Sequence, residues 1–506
     1  MSTTTATTST LPAILQSITA SDQYRRVLDQ INRGARTISI SGLVAAPARA
    51  LVLAALQYES RRQFALVVPA QRDLEHWERD VSFWYCALRG ISEGGNAVAV
   101  LPASESDPYA GGSPHTETLE RRALALWRLA RNGAGGTPLA PVTQTEFVLL
   151  TSRALARRTP PPADILQAGA VLRRDEDSSP EELVDKLVAS GYVREDPVGA
   201  IGEFSMRGGI LDVWPPGHDA PVRVEFFGDT VDSIRAFDPE TQLSTTQLPE
   251  AEIAPMRELI VRPPDFREWA ARARVRWQEP RFARSLRDRT DFADEGEDFP
   301  GWEWLISIVR DSRAAIFDYL KDAVLVIDEP IAVENFLTEA FQILEQRYRE
   351  TDASDDLGLR PDELYLKPEE LRSAIEAVTR IEVRALGRTA AKLDQEIALD
   401  AEQPKISVGK DRPKRKPLFL FPAVSVPGAI ATGSSDSPRS IDPVATAPGS
   451  DTEVSWTAQT VMRYHGRLPD LARDVLNRRA NSQVPTLFVM PSRGVAESVT
   501  EILRDY

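Results

Sequence analysis

GEFSMRGGILDVWPPGHDAPVRVEFFGDTVDSIRAFDPETQLS, residues 202–244, is the stretch that decides how the chain is read. Three runs of strand-like composition, Gly209–Trp214, Val222–Phe227 and Val231–Phe237, are separated by Pro-Pro-Gly-His and Gly-Asp. Proline lacks the ladder's N–H donor and glycine accepts positive φ, so these clusters turn the chain between strands. The spacing predicts an antiparallel meander. Along its middle run, side chains alternate between faces. Val222, Val224 and Phe226 point to a core, while Arg223, Glu225 and Phe227 share the other face, which Arg207 can join. A full aromatic ring among charges is typical of a protein-binding patch. The competing reading is local: Phe227 packs under a neighbouring loop, and Arg223 pairs with Glu225 or another carboxylate.

Composition bounds the rest. A chain of 506 residues has room for three or four domains, and 42% hydrophobic with 27% charged residues gives it the cores of a globular protein. A net charge of −15 argues against broad, sequence-blind DNA binding, which needs a basic face to release phosphate counterions. The single cysteine, Cys86, excludes an internal disulfide framework and reads as a core thiol. His76, His115, His218 and His465 have no metal-ligand spacing, so no zinc site is expected. The polar N-terminus lacks the features of a signal peptide, and no apolar run reaches the ~18 residues of a membrane span. A cytoplasmic protein is expected.

Outward from the meander, the N-terminal region alternates strands and helices. Thr37–Ile40, Gln63–Val68, Ala97–Leu101 and Phe147–Leu150 read as strands, with helices Ala48–Gln57, Arg72–Leu88 and Thr116–Arg131 between them. This pattern predicts a parallel sheet covered by helices on both faces. In a nucleotide-binding domain the first strand-to-helix turn carries a Gly-rich loop ending in Gly-Lys-Ser/Thr, which cradles phosphates and holds magnesium. Here that turn keeps Gly42 but has no lysine, and Pro47 removes an amide donor. Arg49 is within reach of a phosphate in principle, although a lone arginine at a helix start is ordinarily solvated. Farther on, the apolar run Ala323–Ile327 ends in Asp328-Glu329, where helicase-type enzymes hold magnesium and orient the attacking water. Without the lysine, this pair reads as a strand end capping a helix over Glu334–Glu350. Both halves of a nucleotide site read as vestigial.

Pro160-Pro-Pro162 marks a boundary, and 162–250 reads as an inserted α+β domain. Its helix is capped by Ser179 and Glu182, carries Leu183, Val184, Leu187 and Val188 as its apolar stripe, and closes at Gly191. Residues 21–161 and 251–370 form the lobe, with helices expected at Phe266–Gln278 and Ala314–Leu320 and an acidic turn at 294–298. The last part, 371–506, reads as a small α/β domain. Helix Glu370–Val378 and strand Arg380–Ala385 open it. Helix Leu468–Arg479, strand Val484–Met490 and helix Arg493–Leu503 close it. Between them, 388–450 is an expected disordered insertion, with a helix-prone stretch Gly387–Asp400, a basic cluster Lys405–Lys416 and a linker Ser434–Ser450.

The central segment resembles the UvrA-binding domain shared by the excinuclease subunit UvrB and the transcription-repair coupling factors. The pattern is met by Gly202, Glu203, Phe204, Arg207, Gly208, Asp212, Arg223, Glu225, Phe226, Phe227, Asp229, Phe237 and Asp238. Leu101–Tyr109, Ser113-Pro-His115 and Arg122 also resemble the coupling factor's first domain, with Ala123 in place of a leucine. The resemblance implies a degenerate P-loop, helicase-like parallel-sheet lobe, an inserted α+β UvrA-binding domain and a small C-terminal α/β domain. It implies UvrA contacts at Arg207, Arg223 and Phe227, and a vestigial nucleotide site of Gly42, Pro47, Arg49, Asp328 and Glu329. No cofactor is expected for this chain. ATP and magnesium belong to a motor, and RNA polymerase and DNA to regions, that the family carries beyond residue 506, so a fragment or truncated product is expected. The alternative is an active UvrB-like ATPase or helicase subunit of the excinuclease.

Overall fold

Runs such as Phe64–Val68, Phe147–Thr151 and Val324–Asp328 are buried at every position, as strands covered on both faces must be. The computed structural model describes residues 18–133 and 144–385 apart from Glu93 and Glu105, together with Leu418, Leu420, Phe421, 452–456, 468–481 and 493–504. These runs form a seven-stranded, wholly parallel sheet. Its order is 452–455, 37–41, 379–384, 324–328, 64–68, 147–151, 98–101. Alternate residues feed two cores. Ile38, Phe64, Leu66, Val324 and Val326 pack under helices Ala46–Ser60 and Gln71–Arg89. Ala65, Val67, Val148, Leu325 and Ile327 pack under Thr116–Gly133 and Pro330–Ala353. Cys86 packs at the margin of the first of these cores.

Four expectations about where domains and elements lie need correction. Thr379–Arg384, assigned above to a separate domain over 371–506, is a central strand of the large sheet, and Thr452–Ser455 is its edge strand. The 379–384 strand tolerates charge because Arg380 and Arg384 both pair with the fully buried Glu382. Second, residues 261–309 do not simply rejoin the lobe. They build a core of their own around Phe266, Trp269, Phe282, Phe299 and Trp302. Its helices are Pro263–Arg276 and Ala283–Glu295, and the second takes Asp294 out of the expected turn and sets it against Arg274 at 2.9 Å. Third, 314–320 is not a helix. Ala314–Ala315 pairs antiparallel with Arg158–Thr159, and Asp318 folds back to accept the Ala315 N–H at 2.8 Å, leaving one 3₁₀ turn. Fourth, Ile165 and Ala168, expected in the insert, pack in the lobe's core.

The insert leaves and re-enters through a two-stranded neck, Ala170–Arg173 against Glu250–Ile253. Beyond it lies a six-stranded sheet ordered 244–247, 230–237, 222–227, 210–213, 203–207, 193–194. Every neighbouring pair is antiparallel except the last, which is parallel. Helix Pro180–Ala189 covers one face. Ser179 caps it by accepting the Glu182 N–H at 3.3 Å, and Leu183 and Leu187 meet Phe204, Leu211, Val224 and Ile234. Val188, assigned above to this stripe, is 54% exposed. The turn at Gly217 (φ +77°) rests on the lobe, and a Cβ there would stand 2.6 Å from the Arg128 side chain and 3.0 Å from Leu124. Only glycine fits both the backbone angle and that contact. Helices Leu468–Asn481 and Arg493–Arg504 are present as expected. The expected elements at 387–400, 405–416, 434–450 and 484–490 lie outside the described residues.

Candidate protein-binding face and vestigial nucleotide site

Register sets the meander's open face. Arg223 stands opposite Asp212 and Glu225 opposite Ile210, while Ile210 also faces Arg207 across the Gly208-Gly209 turn. Directly paired residues share a side of the sheet, so Arg207, Ile210, Asp212, Arg223, Glu225 and Phe227 lie together, away from helix 180–189. Phe227 ends its strand 85% exposed, so it does not pack under a loop. Phe226, one residue earlier, turns inward against the insert's core. Ile210, 39% exposed, adds apolar surface that was not singled out from the sequence. Its signal was available, since it alternates with the inward Leu211.

The charges of this face are organised by Asp212, whose side chain is 2% exposed. Arg223 donates to it through Nε at 2.6 Å and Nη2 at 2.9 Å, and Arg207 donates through Nη2 at 3.2 Å. Arg223 therefore pairs with Asp212 and not with Glu225, which takes Arg235 at 3.4 Å and the Ser233 hydroxyl at 3.0 Å. Hydrogen bonding to Asp212 lifts the Arg223 guanidinium above its ordinary value. The same guanidinium lies 4.7 Å from the centre of the Phe237 ring. With only 19% of its side chain exposed, Arg223 shapes the face more than it projects from it. Arg207, also paired with Asp196 at 3.3 Å, keeps 55% of its side chain exposed.

The two halves of the expected nucleotide site, Arg49 after the first loop and Asp328-Glu329 at the strand end, meet. Arg49 is not solvated but 7% exposed. It donates Nε to the Leu43 carbonyl at 2.6 Å, Nη1 to Asp328 and Nη2 to Glu329 at 2.9 Å. Trp77 Nε1 donates to the second Asp328 oxygen at 3.1 Å, and Glu329 also accepts the Ala385 N–H at 2.8 Å. Neither carboxylate caps the helix that begins at Pro330, since Glu329 sits at φ +52° with no side-chain cap bond. Burial pushes Asp328 up to about 6 and Glu329 adds to the rise, against the pull of Arg49 and Trp77. Gly42 has φ +85°, and a Cβ on it would lie 1.7 Å from the Trp456 carbonyl, so the edge strand fills the space beside the loop. Pro47 lies in the first turn of helix 46–60. An arginine thus fills the space between the first strand-to-helix loop and the acidic strand end. Among the described residues no three acidic, histidine or cysteine side chains cluster as a metal site.

Tyr109 and Arg122 have structural partners. The Tyr109 hydroxyl donates to the Leu359 carbonyl at 2.9 Å, and Arg122 grips Glu258 through both Nε and Nη2 while donating to the Pro102 carbonyl at 2.6 Å.

Residues 171–259 match the UvrB interaction domain family. The chain is 30% identical over 370 residues to the transcription-repair-coupling factor of Myxococcus xanthus, which covers 71% of this chain and 29% of that protein. It is 34% identical over 307 residues to that of Mycobacterium tuberculosis, covering 58% and 23%, and 31% identical over 249 residues to that of Bacillus subtilis, covering 49% and 19%. The chain spans less than a third of the length of these relatives. No described helix is long and apolar enough to cross a membrane.

Proposed function

We propose that this chain, which carries a UvrB interaction domain and is related to the transcription-repair-coupling factors, works in the cytoplasm as a recruitment module that binds UvrA. Through it, nucleotide excision repair reaches an RNA polymerase stalled at DNA damage. RNA polymerase and DNA are engaged by other parts of the coupling factor, whose translocase motor uses ATP and magnesium. The observation that carries the reading is Phe227, an 85%-exposed aromatic ring on a rigid sheet beside Arg207, Arg223 and Ile210. Aromatic and arginine anchors of this kind dominate protein interfaces. Phe227 supplies the apolar anchor, and Arg207 offers N–H donors to carboxylates on UvrA. Arg223, held by Asp212, keeps the face in shape and offers its remaining edge.

The work is binding rather than catalysis. An active ATPase of the UvrB type is the weaker reading, because Arg49 already satisfies both carboxylates that a magnesium nucleotide needs. Co-elution of the purified chain with UvrA in size-exclusion chromatography tests the proposal, and separate elution at micromolar concentrations of both would contradict it.

A further inference from the structure

A cavity of about 50 Å³ lies where the lobe, the helical layer and the chain returning from the insert meet. That is room for a few waters or for one small oxyanion. Its walls include Arg157, Arg257, Glu258, Trp302, Glu303 and Trp304. Most charges nearby are spoken for: Glu258 is gripped by Arg122, and Glu303 accepts the Ser113 hydroxyl at 2.8 Å. The two arginines are different. Among the described residues, Arg157 has no carboxylate within salt-bridge distance and its Nη1 is buried without a hydrogen-bond partner, while its guanidinium lies 4.8 Å from the Trp304 ring centre. Arg257 stacks 5.1 Å from the Trp302 ring centre, and among the described residues its hydrogen bonds go to carbonyls, those of Ala189 at 3.1 Å and Val261 at 3.4 Å, leaving its Nε unpartnered there.

Three arginines and three glutamates line the cavity, and since Arg158 is held by Glu370, Glu258 by Arg122 and Glu363 by Arg276, the guanidiniums left without a hydrogen-bonded carboxylate among the described residues are those of Arg157 and Arg257. Burial lowers both guanidiniums from their ordinary values, and like charge from Arg122 adds to the effect at Arg157. Burial pushes Glu303 above the usual carboxylate range, which weakens it as a counter-charge, and Asp298 acts on Arg257 without forming an ion pair with it. An uncompensated buried cation is costly unless a counter-charge joins it. Indole faces beside guanidiniums give such a counter-ion a walled, poorly hydrated seat.

We propose that this cavity is an oxyanion-binding site that takes one phosphate-sized tetrahedral anion, with Arg157 as its principal donor and Arg257 as its second. Arg257 also ties the site to the insert, because the Ala189 carbonyl it holds is the last residue of helix 180–189. Filling the cavity therefore stiffens the joint between insert and lobe.

Calorimetric titration and thermal melting of the whole chain with inorganic phosphate, with sulfate, and with chloride at matched ionic strength test this. Phosphate stabilises many proteins without binding, but that effect rises steadily with concentration, whereas a site saturates. The expected result is saturable one-to-one binding of phosphate, competed by sulfate and not by chloride. Arg157→Met keeps the apolar stem and should bind roughly ten- to a hundredfold more weakly, while melting no lower than the wild type in phosphate-free buffer. Absence of saturable binding by the wild type overturns the proposal even if the variant does not fold, and so does equal phosphate affinity in wild type and variant.

Discussion

Arg49 and Asp328, 279 positions apart in sequence, form a buried ion pair that joins the first strand-to-helix loop to the acidic strand end. Arg49 bridges Asp328, Glu329 and the Leu43 carbonyl, so one guanidinium holds the strand end and the first loop together. Truncating one member of a buried pair strands the other charge, which typically costs ~3–5 kcal/mol. Arg49→Ala should lose about that much in urea denaturation at pH 7.5, and Arg49→Lys should recover only part, since one ammonium cannot fork to three acceptors. A loss below ~1 kcal/mol for Arg49→Ala would place the pair at a mobile surface.

Asp328 gives the site a pH signature. Its folded value, about 6, lies above the ordinary 3.8, so the folded state binds the proton more tightly than the unfolded state. The contribution to stability is full below 3.8 and is lost as pH rises through about 6, with a total of about 3 kcal/mol at ~1.4 kcal/mol per pH unit. Asp328→Asn should abolish this component, so the stability difference between wild type and variant should fall from pH 4 to pH 6.5. A flat difference contradicts the assignment.

On the meander, two substitutions should separate shape from contact. Phe227→Ala removes an exposed ring and should change unfolding free energy by no more than ~0.5 kcal/mol. Arg223→Ala leaves Asp212 with only the longer Arg207 bond and should cost ~2–3 kcal/mol, somewhat below the fully buried case because Arg207 and solvent remain. Chemical denaturation of the two variants side by side reads this directly, and equal losses would be the wrong outcome.

Glycine positions make a matched pair. Gly42→Ala meets both a left-handed backbone angle and the Trp456 carbonyl, whereas Gly228 (φ +63°) has nothing within 4 Å of its would-be Cβ. The first should cost ~3 kcal/mol or more and the second only ~1–2 kcal/mol, the ordinary penalty of that angle. Thermal melts of the two variants rank them.

Much of this architecture was legible in the residues. Buried runs such as Ala323–Ile327 announced parallel strands, and Pro-Pro-Gly-His and Gly-Asp announced the meander's turns, because backbone sterics act locally. Strand 379–384 was found but misplaced, since its alternating charges suit a sheet centre only once Arg380 and Arg384 both pair with Glu382 there. The helix expected at 314–320 failed because pairing with Arg158–Thr159 outweighed local propensity. The partners of Arg49 and Arg223 were beyond reach of pattern. Arg49 finds its carboxylates across the whole lobe, and the register that puts Arg223 opposite Asp212 follows from turn geometry rather than from spacing.

The central claim is that the face carrying Phe227 binds UvrA, and isothermal titration of UvrA with wild-type chain and with Phe227→Ala tests it most directly. An interface anchor of this type contributes ~2 kcal/mol or more, so the account predicts saturable binding by the wild type and a loss of about thirtyfold or more in the equally stable variant. Equal affinity of the two proteins for UvrA would contradict it.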